Sequence, residues 1–486
     1  MRPPGSRPSV TVIGAGFGGI GTAIALRRAG YSDITVLEKG DSVGGVWRDN
    51  TYPGAACDVP SSLYSFSFAP NPRWPHRYSR QPEIRDYIEA VAREHGVLDL
   101  VRFGVEVATA AYDEDECRWH LTTTTGASLH TDVVVSAVGQ LSRPAIPELP
   151  GREEFEGPAF HSADWDHDVD LTGKRVAVLG TGASAIQFVP EIAPVAGHVT
   201  VFQRSAPYVV PKPDREYTGL HRRAFERAPR SQRAGRLLTW VVTEKFNKAL
   251  LQDTWMKKAV GLGWRGLLRT QVRDPELRRK LTPDHELGCK RVLFSNAWYP
   301  ALTRDDVDLV TSPVSRVLPH GVLADDGTEH AADVVIYGTG FAATEFLAPM
   351  QVTGAGGADL QERWKSGAHA YLGLCVPDFP NFFVVYGPNT NLGGSSIVGM
   401  LEAAAGAVVT LLDRARTAGA RSVAVRADVE RTFDDEVQRR LRESVWAGCQ
   451  SWYRGSDGRI STNWPGLVAE YQRRCAALDP ADFVLA

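Results

Sequence analysis

Four glycines in the run Gly14-Ala-Gly16-Phe-Gly-Gly19 stand between an apolar strand pattern, Ser9-Val-Thr-Val-Ile13, and a helical pattern carrying Ile20, Ile24 and Leu26, stopped at Gly30. A strand, tight turn and helix start of this kind hold phosphates. Gly14 permits the turn, Gly16 lets a pyrophosphate approach the backbone, and Gly19 lets the helix lie close on the strand, with free N–H groups facing the phosphates. A second strand, Ile34-Thr-Val-Leu37, ends in Glu38, whose carboxylate can accept hydrogen bonds from ribose hydroxyls. The pattern returns at Arg175-Val-Ala-Val-Leu179, Gly180-Thr-Gly182-Ala-Ser184-Ala185, a helix, and the strand Val199-Thr-Val-Phe202. Two dinucleotide sites are therefore expected. In the second, the position matching Glu38 is Arg204, followed by Ser205. A carboxylate repels a 2′-phosphate, whereas Arg204 neutralises one and Ser205 hydrogen-bonds it, so the first site suits FAD and the second NADPH over NADH. Pro190 should kink the second helix or confine it to its first turns.

These turns need parallel strands to carry them. Two more apolar strands end in small residues, Val133-Val-Val-Ser-Ala-Val-Gly139-Gln140 and Val334-Val-Ile-Tyr-Gly338-Thr-Gly340-Phe341, and each is expected to end at a nucleotide. The expected fold is α/β, with two Rossmann-like dinucleotide-binding domains and a helical insertion. The FAD domain is discontinuous, 1–149 and 341–486; the NADP domain comprises 150–212 and 287–340; the insertion is 213–286.

The chain's 486 residues correspond to about three packed units. Hydrophobic residues at 43% and charged residues at 23% exclude bulk disorder, and a net charge of −3 leaves no global field for nucleic acid or a membrane. The apolar run Ala403 to Leu412 is too short to span a bilayer and reads as a buried helix. Met1 to Pro8 leaves no room for a secretory segment. The six cysteines are far apart, without a CxxC pair, which removes metal knuckles and thiol–disulfide chemistry and fits a reducing cytoplasm. Residues 211–286 differ from the rest: they carry 18 Lys/Arg against 9 Asp/Glu, leaving the remainder of the chain at −12. That excess suits an anionic substrate, a carrier-bound acyl chain, a membrane surface or a solvated helical face.

Phe155-x-Gly157-x-x-x-His161-x-x-x-Trp165-Asp166, just before the second glycine turn, resembles the FxGxxxHxxxW(P/D) fingerprint of the Baeyer–Villiger monooxygenases, a branch of the class B flavin monooxygenases. Nitrogen-oxidising relatives usually carry another aromatic at the Trp165 position. Gly44-Gly45-Val-Trp47, Tyr52-Pro53-Gly54, Asp58, Gly288-Cys-Lys290-Arg291 and Ser451-Trp452-Tyr453 are similar to further segments of that family. The resemblance covers nearly the whole chain. It implies hydride transfer from NADPH to FAD, capture of O2 as a C4a-peroxyflavin, and conversion of a small-molecule ketone to an ester or lactone. It implies that Gly45 lets a loop pass close to the flavin, that Trp47 covers it, and that Asp58 lies beside it.

The peroxide must be an anion to attack a carbonyl, so a fixed cation is needed, and Arg291 is the candidate. Asp58 would hold that guanidinium as its counter-charge. Lys290, pointing the other way if the stretch is extended, would join Arg204 and Ser205 at the 2′-phosphate. Gln140 is expected near the nicotinamide and Trp452 in a C-terminal loop over the site. Two other readings stay open: a relative that oxygenates nitrogen or sulfur, needing no arginine, and a flavin redox sensor or NADPH oxidase without productive oxygenation. Oligomeric state has no signature in the sequence. No metal site is expected.

Overall fold

Strands such as Val10–Ile13 and Val133–Ser136 are buried at every position, the pattern of strands covered by helices on both faces of a parallel sheet. The computed structural model describes residues 7–252, 254–449, 451–455 and 458–486. Along the chain the elements that matter for function are β1 (Val10–Ile13), α1 (Phe17–Arg28), β2 (Ile34–Leu37), β3 (Val101–Arg102), β4 (Val133–Ser136), β5 (Ala159–His161), β6 (Arg175–Leu179), α2 (Ala185–Ile192) and β7 (His198–Phe202). A helical segment follows: α3 (Gly219–Arg227), α4 (Pro229–Leu251), α5 (Trp255–Gln271) and α6 (Pro275–Lys280). The chain then returns through β8 (Val307–Val310), β9 (Val334–Tyr337), β10 (Phe382–Val384) and α7 (Val398–Thr417).

Two parallel five-stranded sheets result, in the orders β10-β4-β1-β2-β3 and β8-β7-β6-β9-β5. The first takes its edge strand β10 from far down the chain, and Gln351–Thr353 likewise pairs with Val107–Asp113, so the early and late parts form one unit around the second sheet. The run Ala403 to Leu412 is the middle of α7, which packs on α1 as the expected buried helix. Pro190 lies inside α2, and the helix ends two residues later.

The two glycine turns are built alike. Gly14, at φ +103°, abuts Ala137 just past β4; Gly180, at φ +112°, abuts Gly338 just past β9. A Cβ on either would lie 2.7 Å or 2.4 Å from the facing carbonyl oxygen. The strands that the sequence marks by their small C-terminal residues are thus the neighbours of β1 and β6. Gly19 is tighter still: a Cβ there would stand 1.8 Å from the Gly14 carbonyl oxygen. Gly19→Ala should therefore cost about 2–3 kcal/mol by overpacking, read as a lower midpoint of thermal unfolding. Gly406→Ala on α7, where a Cβ meets nothing within 4 Å, should raise that midpoint slightly.

Candidate functional site

At the first turn, Gly16 precedes α1 in extended conformation and no side chain caps the helix, so its first N–H groups are open to a phosphate. The Gly44-Gly45 loop crosses directly over this turn. Gly44 N donates to Ala15 O at 3.0 Å, and a Cβ on Gly45 would lie 3.2 Å from Gly16 Cα. Trp47 follows, its Nε1 donating to Tyr64 Oη at 3.0 Å. The buried Glu38 accepts from Ala15 N and Gly40 N, each at 2.8 Å, and from Arg48 Nη1 at 2.7 Å. A carboxylate has about four lone-pair sites, so one remains for a ligand hydroxyl. Gln140, at the end of the β4 segment, donates through Nε2 to Tyr386 O and Gly387 O at 3.1 Å, while its buried Oε1 has no partner among the described residues. Open helix N–H groups, a backbone-to-backbone glycine crossing and an orphaned buried acceptor all fit a flavin dinucleotide.

At the second turn, Gly180, Gly182 and Ser184 lead into α2. Lys290 Nζ donates to Ser205 Oγ at 2.9 Å. Burial, above all, pushes the Lys290 ammonium below its ordinary value, with Arg204 adding repulsion against the attraction of Asp284. Two cations and a hydroxyl gathered at the tip of β7 are the recognition set for a phosphate.

Between the two turns lies the ion pair Asp58–Arg291, in which Arg291 Nη2 donates to Asp58 Oδ2. The attraction of Asp58 raises the guanidinium above its ordinary value despite the cost of burial. Burial pushes the Tyr386 phenol up to about 12 and also holds Tyr453 neutral, with Asp58 adding to the latter. A small cavity beside Arg291 is lined by Gly288, Asn247, Gly393, Trp446 and Tyr453. The Tyr453 hydroxyl and Asn247 Oδ1 are buried without hydrogen-bond partners among the described residues. A permanent cation flanked by neutral phenols can stabilise an oxyanion at this spot.

Asp58 with Arg291, and Lys290 with Ser205, therefore come together as the sequence anticipates. Trp452 does not reach the cavity: it is 41% exposed, its ring tilted against that of Tyr453 at 4.2 Å between centroids, and Tyr453 is the residue facing Arg291. The cysteine reading also needs correction. Cys289 and Cys449 form a disulfide across 160 residues, tying the Gly288–Arg291 stretch to the loop before Trp452. Spacing reveals local pairs only, and this one exists because the fold returns the C-terminal loop to residue 289. Arg48, Tyr386, Tyr453 and Asn247 carried no signal of their own, although Arg48 and Tyr453 sit beside motif residues. The fingerprint staples the second sheet: His161 pairs with Tyr337 across β5 and β9, and Trp165 packs on Phe188 of α2 at 5.3 Å.

The profile of the FMO-like family, described as flavin-binding monooxygenase-like, matches residues 7–260. A Baeyer–Villiger monooxygenase of Streptomyces coelicolor is 45% identical over 482 residues, covering 98% of this chain and 92% of that protein. The chain belongs to the flavin-binding monooxygenases, in their Baeyer–Villiger branch. Among solved structures, an oxidized steroid monooxygenase bound to NADP superposes with a TM-score of 0.88 at 29% identity, covering 99% of each chain. OTEMO in complex with FAD and NADP gives 0.89 at 27% identity, over 99% of this chain and 100% of that one.

In this monooxygenase, removing one partner of the central pair should expose the other's cost. Asp58→Asn is expected to destabilise the protein by about 2 kcal/mol, less than for a fully buried pair because part of the Arg291 side chain meets solvent. Adding Arg291→Met should recover part of that loss in thermal unfolding, because the unpaired charge is removed with it.

Proposed function

We propose that the protein is an FAD- and NADPH-dependent Baeyer–Villiger monooxygenase that, with O2 and a proton, converts a ketone to an ester or lactone, releasing water and NADP. The observation that carries this reading is the Asp58–Arg291 pair at the cavity edge, next to a cation cluster suited to a 2′-phosphate. When bound, FAD accepts hydride from NADPH and activates dioxygen. Everything else is the work of this chain.

Gly14, Gly16 and Gly19 place the flavin pyrophosphate at α1, Glu38 takes the ribose, and Gly45 and Trp47 close over the ring. Gly180, Gly182 and Ser184 seat the second dinucleotide, while Arg204, Ser205 and Lys290 bind its 2′-phosphate. Gln140 offers its free acceptor to the carboxamide of the nicotinamide. Arg291 stabilises negative charge first on the attacking oxygen and then on the substrate carbonyl oxygen. Each pKa unit by which it favours the anion is worth about 1.4 kcal/mol. Asp58 fixes the guanidinium in place, and because the pair holds Arg291 charged, its contribution does not change with pH across the working range. Trp452 belongs to the covering loop through its ring contact with Tyr453.

The domain boundaries 1–149, 150–212, 213–286, 287–340 and 341–486 form part of the same proposal, supported by which strands pair in which sheet. A cytoplasmic location is supported by the need for NADPH; among the described residues, no helix is long and apolar enough to cross a membrane.

Arg291→Ala should abolish ester formation while NADPH still reduces the flavin, so that NADPH consumption yields hydrogen peroxide instead. Product analysis with a ketone and a thioether at several pH values checks it: sulfoxide alone at every pH, with Arg291→Ala harmless, would make the enzyme a heteroatom oxygenase. Arg204→Ala should raise KM for NADPH about tenfold or more, the loss of one charge-assisted contact, and leave KM for NADH nearly unchanged.

A further inference from the structure

Six of the twelve large apolar side chains exposed among the described residues lie between residues 220 and 262, all in the helical insertion. They are ordered by the helices that carry them. Each residue turns a helix by about 100°, so on α4 Leu237, Leu238 and Val242 share one side, preceded by Arg230 and Arg233 and followed by Lys245 and Lys248. The other side of α4 is anchored: Arg236 Nη1 donates to Ser62 O at 2.5 Å and Ser65 O at 3.0 Å, Gln232 Nε2 donates to Asn71 O at 2.7 Å, and Asn247 is buried. On α5, Trp255 and Leu262 share a side with Arg265 and Arg269 next to them. Opposite them Trp264 and Leu268 are buried, and Trp264 Nε1 donates to Tyr299 Oη at 2.9 Å. Two firmly seated helices thus hold out leucines and a tryptophan interleaved with cations.

We propose that this face is a docking surface for an anionic lipid bilayer, with α4 and α5 lying at headgroup level. Leu and Trp enter the headgroup–acyl boundary while Lys and Arg extend to the phosphates, the division of labour of an interfacial helix. Charge points to the same occupant. Residues 211–286 carry 18 Lys/Arg against 9 Asp/Glu, whereas the rest of the chain sums to −12, so an anionic surface attracts this face and repels the others. A second copy of the chain fits less well, because the cores of protein–protein interfaces are depleted of lysine and here Lys245 and Lys248 adjoin the apolar stripe. Asn247 and Leu251 of α4 line the cavity beside Arg291, so docking brings that cavity near the phase into which apolar ketones partition. This last consequence rests on the proposed ketone activity; the docking does not.

The test uses the full-length, FAD-loaded protein in flotation with vesicles of equimolar phosphatidylglycerol and phosphatidylcholine, or of phosphatidylcholine alone. The protein should float with the anionic vesicles at low salt and leave them at about 1 M salt, where the screening length is about 3 Å. Leu237→Ser with Leu238→Ser and Trp255→Ser should weaken partition by about tenfold or more, and Lys245→Glu with Lys248→Glu should weaken it on the anionic vesicles specifically. FAD content and NADPH oxidation in solution should not change, because these side chains lie in neither dinucleotide cradle. Absence of vesicle binding, equal binding to phosphatidylcholine, or unaltered binding by the serine variant would each overturn the proposal. A concentration-dependent dimer in sedimentation velocity, dissolved by the serine variant and accompanied by no flotation, would assign the face to a second copy instead. Flotation with anionic vesicles by a protein that oxidises no ketone would overturn the proposed function and leave the docking intact.

Discussion

The contact between Asp58 and Arg291 joins two parts of the chain that lie 233 residues apart in sequence. Asp58 follows the loop that crosses the first glycine turn; Arg291 begins the chain's return from the helical segment. Partly buried charges are tolerated when each satisfies the other, and here the arrangement fixes a cation at the edge of a small cavity. The neutral phenols of Tyr386 and Tyr453 leave that charge uncontested, and Tyr453 lines the same cavity.

The legible parts of the molecule are those whose chemistry is local. Gly14 and Gly19 announce themselves because a short turn against a helix admits no Cβ, and Arg204 does so because it occupies the place of Glu38. Parallel strands are readable from β1, β4, β6 and β9, each a mostly apolar run rich in valine. The opaque parts are made by return of the chain. Arg48 neutralises Glu38 from the short helix Val46–Asp49 ten residues on, Cys449 meets Cys289 from the far end of the sequence, and Tyr453 rather than its more conspicuous neighbour Trp452 turns inward. No periodicity encodes such meetings; they depend on where whole units pack.

The insertion illustrates a different division. Its helical character and charge excess are properties of composition and were visible at once, whereas which side of α4 and α5 faces outward depends on anchors such as Arg236 to Ser62 and Trp264 to Tyr299. A basic stretch alone has several meanings. Only the seating of its helices separates the residues that fill the core from those left over.

Lys290 and Arg291 are neighbours in sequence, yet one reaches Ser205 and the other Asp58. Consecutive α-carbons stand about 3.8 Å apart, so a single peptide unit separates the residue held at Ser205 from the one held at Asp58. Because the peptide unit is planar and stiff, a shift of the backbone at Lys290 is passed on to Arg291, and the two contacts are mechanically linked rather than merely adjacent.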